Sequence, residues 1–174
     1  MPKWPFQELY GPQFNLRMIR QSNAFVMWHT HDIGDGVSHD VQLKTGDKIV
    51  LDETRFDIVE NAPVLFELFE VESLTDGTEF TTYSCINRIN PTTPTISFYE
   101  SPTNLSGMTK IDERIILQPQ GTKRAESIRE GDIRFLLKPN SNYVLRITNQ
   151  TNNPITSQTK LFWLELLPEE FILA

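Results

Sequence analysis

Leu137-Lys138-Pro139-Asn140-Ser141-Asn142-Tyr143-Val144-Leu145-Arg146-Ile147-Thr148-Asn149 is the stretch whose reading decides the fold class. Tyr143, Leu145 and Ile147 alternate with Asn142, Arg146 and Thr148, so an extended chain sends the apolar residues to one face and the polar ones to the other. One face is wet and the other is core. Pro139 withholds a ladder donor, and Asn140, Ser141 and Asn142 favour turn geometry, so the run ends one strand and launches the next.

The same pattern extends in both directions. Short apolar stretches cover Ala24–Thr30, Val41–Leu51, Pro63–Val71, Glu79–Asn87, Thr95–Glu100, Lys110–Leu117, Ile133–Leu137, Asn142–Thr148 and Lys160–Leu167. Between them stand Asp76-Gly77, Asn90-Pro91, Ser101-Pro102, Ser106-Gly107, Gln120-Gly121, Glu130-Gly131 and Asn153-Pro154, each a turn signal, and Lys44-Thr45-Gly46-Asp47 makes a tight turn inside the second stretch. Eight or nine strands are expected, with a helix over 63–74 as the competing reading of PVLFELFEVESL. Pro63–Val71 and Leu161–Leu167 are apolar at both parities, which marks strands covered on two sides. The fold class expected is therefore all-β, an antiparallel β-sandwich.

Residues 1–23 carry Pro2, Pro5 and Pro12 among Trp4, Phe6, Tyr10 and Phe14, fitting neither a helix nor a strand for long. They read as an extended N-terminal arm, lying over its own domain or over a neighbouring subunit. Residues 24–167 form the sandwich domain and residues 168–174 an apolar C-terminal tail with Phe171, Ile172 and Leu173. The apolar groups of arm and tail lack an obvious slot within the domain, so these seven side chains are the expected interaction residues.

The chain has 174 residues, and its 18 aromatics (11 Phe, 4 Tyr, 3 Trp) are enough for a substantial core. Sixteen Lys and Arg against 23 Asp and Glu give a net charge of -7, a poor footprint for tracking phosphates, so no nucleic-acid partner is expected. One cysteine, Cys85, forms no internal disulfide and reads as an inert buried thiol. No basic segment followed by an apolar run opens the sequence, and no window approaches 18 apolar residues, so synthesis in a cytoplasm and no membrane partner are expected. The sequons at Asn104-Leu105-Ser106 and Asn149-Gln150-Thr151 are read as ordinary loop polar residues.

All three histidines fall in one short stretch, with His29, His31 and His39 around Asp32, Asp35 and Asp40. On a strand His29 and His31 share a face, as two imidazoles converging on one ion must, and Asp35 or His39 could return from the loop. The spacing is similar to the His-x-His start of the cupin family, but Asp35 stands in place of that family's glutamate and no histidine follows His39. Surface or turn-stabilising histidines are the reading adopted, with no metal, no cofactor and no catalytic residue. Phosphate-binding glycine loops and a nucleophile elbow are missing from the sequence. Glu67, Glu70, Glu72 and Asp76 read as a solvated strand face rather than a paired-carboxylate site. Glycan binding would need Trp4, Trp28 or Trp163 exposed.

An ordered series of short runs resembles a family of tailed-bacteriophage virion proteins, the capsid decoration or head-associated structural proteins. The runs are Leu68-Phe69-Glu70, Thr75-Asp76-Gly77-Thr78, Cys85-Ile86-Asn87-Arg88, Tyr99-Glu100-Ser101-Pro102-Thr103 with Gly107, Leu137 to Asn149, and Trp163-Leu164-Glu165. The resemblance covers roughly residues 24 to 167. The resemblance implies a jelly-roll-like sandwich, a homo-oligomer expected to be a trimer, and the major capsid protein as partner. It places the chain on the outer capsid surface of the virion, after assembly in the host cytoplasm, in a structural role without enzyme activity. A tail- or fibre-associated glycan-binding module and a cupin-type metal-dependent enzyme using His29, His31 and Asp35 or His39 are the alternatives.

Overall fold

The computed structural model describes residues 23–58, 63–81, 83–116 and 135–166, with residues 51–58 and 116 described as backbone. The interaction residues expected in the arm (Trp4, Phe6, Tyr10, Phe14) and tail (Phe171, Ile172, Leu173) lie outside the described residues.

The described chain is all-β, in two antiparallel sheets. One sheet contains β1 (Ala24–Ile33), β3 (Ile49–Ile58), β6 (Tyr83–Cys85), β9 (Phe135–Leu137) and β11 (Ile155–Leu166), in the order β6-β1-β11-β3-β9. The other contains β2 (Ser38–Lys44), β4 (Val64–Thr75), β5 (Thr78–Phe80), β7 (Ser97–Glu100), β8 (Thr103–Ile116) and β10 (Asn142–Asn149), in the order β5-β7-β2-β10-β4-β8. The eleven strands among the described residues exceed the eight or nine expected because Val41–Leu51 divides at its tight turn into β2 and β3, and Glu79–Asn87 into β5 and β6, each pair split between the two sheets. The helical alternative for 63–74 is overturned: Val64, Phe66 and Leu68 face the core while Phe69 and Val71 join a separate apolar cluster with Val144, so both faces of β4 are covered. A run covered on both faces loses the alternation that distinguishes strand from buried helix.

The two sheets meet around Trp163, which is fully buried on β11. Its ring stacks on Phe25 of the same sheet, with centroids 5.4 Å apart, and meets Phe98 of the facing sheet edge-on, also at 5.4 Å. Tyr143, Leu145 and Ile147 line the inner face of β10 as their alternation requires, each buried in the same core. The other parity of β11 is covered as well, since Leu164 and Leu166 are 1% exposed.

The Leu137–Asn149 run is held by polar contacts specific to its residues. Lys138 N–H donates to the Tyr143 hydroxyl at 2.8 Å, tying the end of β9 to the start of β10 across the turn. Asn140 sits at φ 52° and donates its N–H to the Gly46 carbonyl, while the Thr45 hydroxyl donates to the Lys138 carbonyl at 2.7 Å. The Lys44–Asp47 turn and the Pro139–Asn142 turn therefore fold onto each other. At the opposite end, Asn149 is no loop residue: it ends β10 and is 2% exposed, which overturns the reading of its sequon as ordinary loop polar residues. Its side-chain N–H groups donate to the carbonyls of Gly34 (2.9 Å) and Asn153 (2.7 Å), and its Oδ1 accepts from the Thr151 N–H and hydroxyl. One amide thus joins the β1–β2 and β10–β11 connections.

Two glycines behave differently from one another. Gly77 forms the β4–β5 turn as expected, pressed so close to β7 that a Cβ there would run into the Glu100 carbonyl. Asp76 beside it accepts hydrogen bonds from Gln42 and Lys44 of β2 at 2.7 and 2.6 Å. Ser106-Gly107, expected to be a turn, instead lies within β8. Gly107 takes φ 62° and Asn104 φ 54° there, and the β4–β8 register shifts between Ser73 and Thr75 and again between Leu68 and Phe69. The turn chemistry is consumed by irregularities in a long strand rather than by a reversal.

Removing the Asn149 amide leaves several buried carbonyl and N–H groups unpaired, at about 1–3 kcal/mol. Asn149→Ala should lower the urea unfolding midpoint by that amount, whereas Ala at the exposed neighbour Gln150 should leave it within error. Gly77→Ala should destabilise by about 1–3 kcal/mol through the forced backbone shift, read in the same denaturation series.

Candidate functional site

β1 leaves one sheet and β2 enters the other through a short connection at residues 34–37, where Gly36 adopts φ 59° and Val37 N–H donates to the Gly34 carbonyl. This crossover brings histidines close in sequence onto opposite walls of the sandwich. His29 and His31 share the inward parity of β1 with Phe25 and Met27, and His39 shares the inward parity of β2 with Val41 and Leu43. β7 lies beside β2 and pairs Glu100 with Val41, so the Glu100 carboxylate reaches the same space. His29, His31, His39 and Glu100 each present one ligand-type atom, and these atoms all lie within 4.8 Å of one another.

The local packing is tight. The His29 and His31 rings meet edge-on at 4.2 Å, the His31 and His39 centroids are also 4.2 Å apart, and His29 stacks on Phe80 at 4.1 Å. His29 Nε2 contacts Glu100 Oε1, and His31 Nε2 lies 3.1 Å from the hydroxyl of Thr159, a fully buried residue of β11. His31 Nδ1 and His39 Nε2 are buried without a hydrogen-bond partner. Burial, with His39 and His29 as neighbours, lowers the His31 pKa to about 3. Burial also lowers that of His39, opposed by the nearby carboxylates of Glu100 and Asp40. Near neutral pH His31 and His39 therefore offer uncharged imidazole nitrogens beside the His29 ring and the Glu100 side chain, a donor set suited to a divalent transition ion.

Three of the four metal candidates read from the sequence come together: His29, His31 and His39. Asp35 does not. It is exposed in the connection between β1 and β2, because that connection turns outward while the flanking strands turn their histidines inward. The reading of the histidines as surface or turn residues is corrected: all three lie on strands with inward parity, His31 3% exposed and His29 and His39 half-buried. Glu100 was missed because it lies 61 residues after His39 with no motif joining them. The available signal was its parity: Ile96, Phe98 and Glu100 alternate with Ser97 and Tyr99, which puts an acid on the apolar side of a short strand.

The remaining candidates resolve separately. Glu67 is buried (9% exposed) rather than part of a solvated face and pairs with Lys110, which also holds Glu113; Glu70 pairs with Lys138 and Asp76 with Lys44, so these carboxylates meet cations instead of facing one another across a cleft. Trp163 is core and offers no glycan platform, while Trp28 is 42% exposed on the outer face with Lys160 Nζ 5.3 Å from its ring centroid. Cys85 is buried and forms no disulfide, as expected. No helix among the described residues is long and apolar enough to cross a membrane. Comparison with protein-family models, with curated proteins and with solved structures finds no match to this chain.

A histidine that is neutral when folded but titrates normally when unfolded binds fewer protons in the folded state. Its penalty is absent above pH 6.5 and grows as pH falls from there toward the folded value of about 3. With chelator present, stability should fall by up to about 1.4 kcal/mol per pH unit for each such group between pH 6.5 and 5. Urea midpoints at pH 7.5 and 5.0 measure this, and His31→Gln should flatten the difference.

Proposed function

We propose that this chain is a structural protein of a tailed-bacteriophage virion. Within that class we read it as a decoration protein of the outer capsid surface that cements the shell by gripping several major capsid protein subunits at once. The observation that carries this reading is where the family-like runs lie in the fold: they are its framework. Leu68-Phe69-Glu70 lies in β4, Asp76-Gly77 forms the turn packed against β7, and Cys85 closes β6. Tyr99 to Thr103 links β7 to β8 through Ser101 at φ 53°, and Leu137–Asn149 makes the interlocked turn and β10. Trp163 and Glu165 are wholly buried in β11. An ordered match of framework residues over two packed sheets supports kinship in architecture more than a collection of surface residues could.

In this reading the sandwich is jelly-roll-like and forms a homotrimer, because a closed symmetric oligomer matches the threefold and quasi-threefold positions of an icosahedral surface. Trp4, Phe6, Tyr10 and Phe14 of the arm and Phe171, Ile172 and Leu173 of the tail reach neighbouring chains. Separate weak contacts on several capsid subunits then add through effective concentration, so removing one subunit requires breaking the clamp too. The net charge of -7 suits a solvated outer surface rather than one facing packaged DNA.

Quantitative mass spectrometry of purified particles of a phage encoding the chain should find it in multiples of the shell's symmetry. Purified protein should co-sediment with undecorated shells and raise their disruption temperature. Particles lacking the chain, or shells that neither bind it nor gain stability, would refute the reading.

A further inference from the structure

We propose that His29, His31, His39 and Glu100 form a site for one divalent first-row transition ion, zinc fitting best, that ties the two sheets together. The proposal stands apart from the virion reading, since it concerns how the sandwich is held and not what the sandwich attaches to.

Placement is the first argument. His29 and His31 come from β1 in one sheet, His39 and Glu100 from β2 and β7 in the other, so an ion bound by all four bridges the layers at the point where the chain crosses between them. Donor chemistry is the second: three imidazole nitrogens and one carboxylate oxygen complete a four-coordinate zinc shell. In such a shell, bonds of about 2.0–2.1 Å place the ligand atoms roughly 3.3 Å apart. Drawing in a set already within 4.8 Å takes side-chain adjustments on the order of an ångström.

The third argument is the pair of orphaned nitrogens. His31 Nδ1 and His39 Nε2 are buried with no hydrogen-bond partner, although buried polar atoms are nearly always satisfied. His31 is 3% exposed, and its other nitrogen, Nε2, already has Thr159 Oγ1 at 3.1 Å. With the proton on Nε2 and donated to that hydroxyl, Nδ1 keeps its lone pair free for an ion, the arrangement by which outer partners fix a metal-binding imidazole. A cation would satisfy both orphaned nitrogens and neutralise the carboxylate, replacing the present His29–Glu100 contact. The Glu100 side chain is 36% exposed against 13% for His29, so Glu100 marks the side from which an ion enters. Four protein ligands leave a tetrahedral ion no open position, which assigns it a structural rather than a catalytic role.

The full-length protein, stripped with EDTA and dialysed at pH 7.5, tests this by calorimetric titration with zinc chloride and by the absorption spectrum of its cobalt(II) form. One equivalent per chain, a visible spectrum of tetrahedral intensity and a melting temperature that rises with free zinc are expected. Glu100→Gln and His39→Gln should each weaken binding at least tenfold, and Asp35→Asn should not. Circular dichroism of the metal-free variants establishes that they fold, and Glu100→Gln, altering a half-exposed carboxylate, keeps the test available should the histidine variant fail to fold. Absence of stoichiometric binding, or binding unchanged in Glu100→Gln, would overturn the proposal.

Discussion

A wholly buried carboxylate sets the course of the chain. Glu165 on β11 is 0% exposed, and its Oε1 accepts the backbone N–H groups of Thr95 (2.7 Å) and Ile96 (3.3 Å), with Trp163 Nε1 at 3.4 Å. Lys48 Nζ lies 3.3 Å from Oε2, near enough for an ion pair but not aligned as a hydrogen bond. An unpaired charge at this depth costs several kcal/mol, so these donors are a condition of the fold. What they fix is the segment that leaves β6 in one sheet and must deliver β7 to the other. Phe98 reaches Trp163 and Glu100 reaches the histidines from residues 95 and 96 anchored on this carboxylate.

The framework and the histidine cluster answer to different constraints. Framework residues bury apolar area or close turns with hydrogen bonds, and each has its partners within the fold. The cluster concentrates three imidazoles and a carboxylate where two of the nitrogens find no hydrogen-bond partner; Thr45, Thr159 and Asn149 elsewhere in the core are bonded, while Gln42 Oε1, Thr95 Oγ1 and Glu165 Oε2 also lack such a partner. The pair between Arg146 and Asp40 shows how the sandwich otherwise treats charge: both guanidinium contacts are 2.8 Å, they cross from β10 to β2, and the group also lies over the Phe69 ring. Beside that pairing the cluster stands out, among the described residues, as three imidazoles and a carboxylate gathered at one point.

Much of the sandwich was legible because alternation and turn residues are local properties. The parity of Tyr143, Leu145 and Ile147, the Asp76-Gly77 turn and the Lys44–Asp47 reversal follow from side chains a few positions apart. Three features were not legible, each for a non-local reason. Gly107 carries the same turn signal as Gly77, yet only its partner strand determines that it bends β8 without reversing it. The burial of Asn149 depends on carbonyls at residues 34 and 153, which converge only when both connections are folded. Glu100 joins the histidines through the lateral order β7-β2, which nothing near residue 100 encodes. His29, His31 and His39 could be grouped from spacing alone, whereas the difference between Asp35 and Glu100 is a difference of topology.

The outermost strands carry a further consequence. Three of the four lateral strands among the described residues, β5, β6 and β9, are only three residues long, and the fourth, β8, is long but twice out of step with its neighbour. Short or irregular margins offer a second molecule little straight backbone to zip onto. Copies crowded side by side at high density would thus be steered away from fusing sheet to sheet, leaving their association to be governed by side chains, which can be selective, rather than by main chain, which cannot.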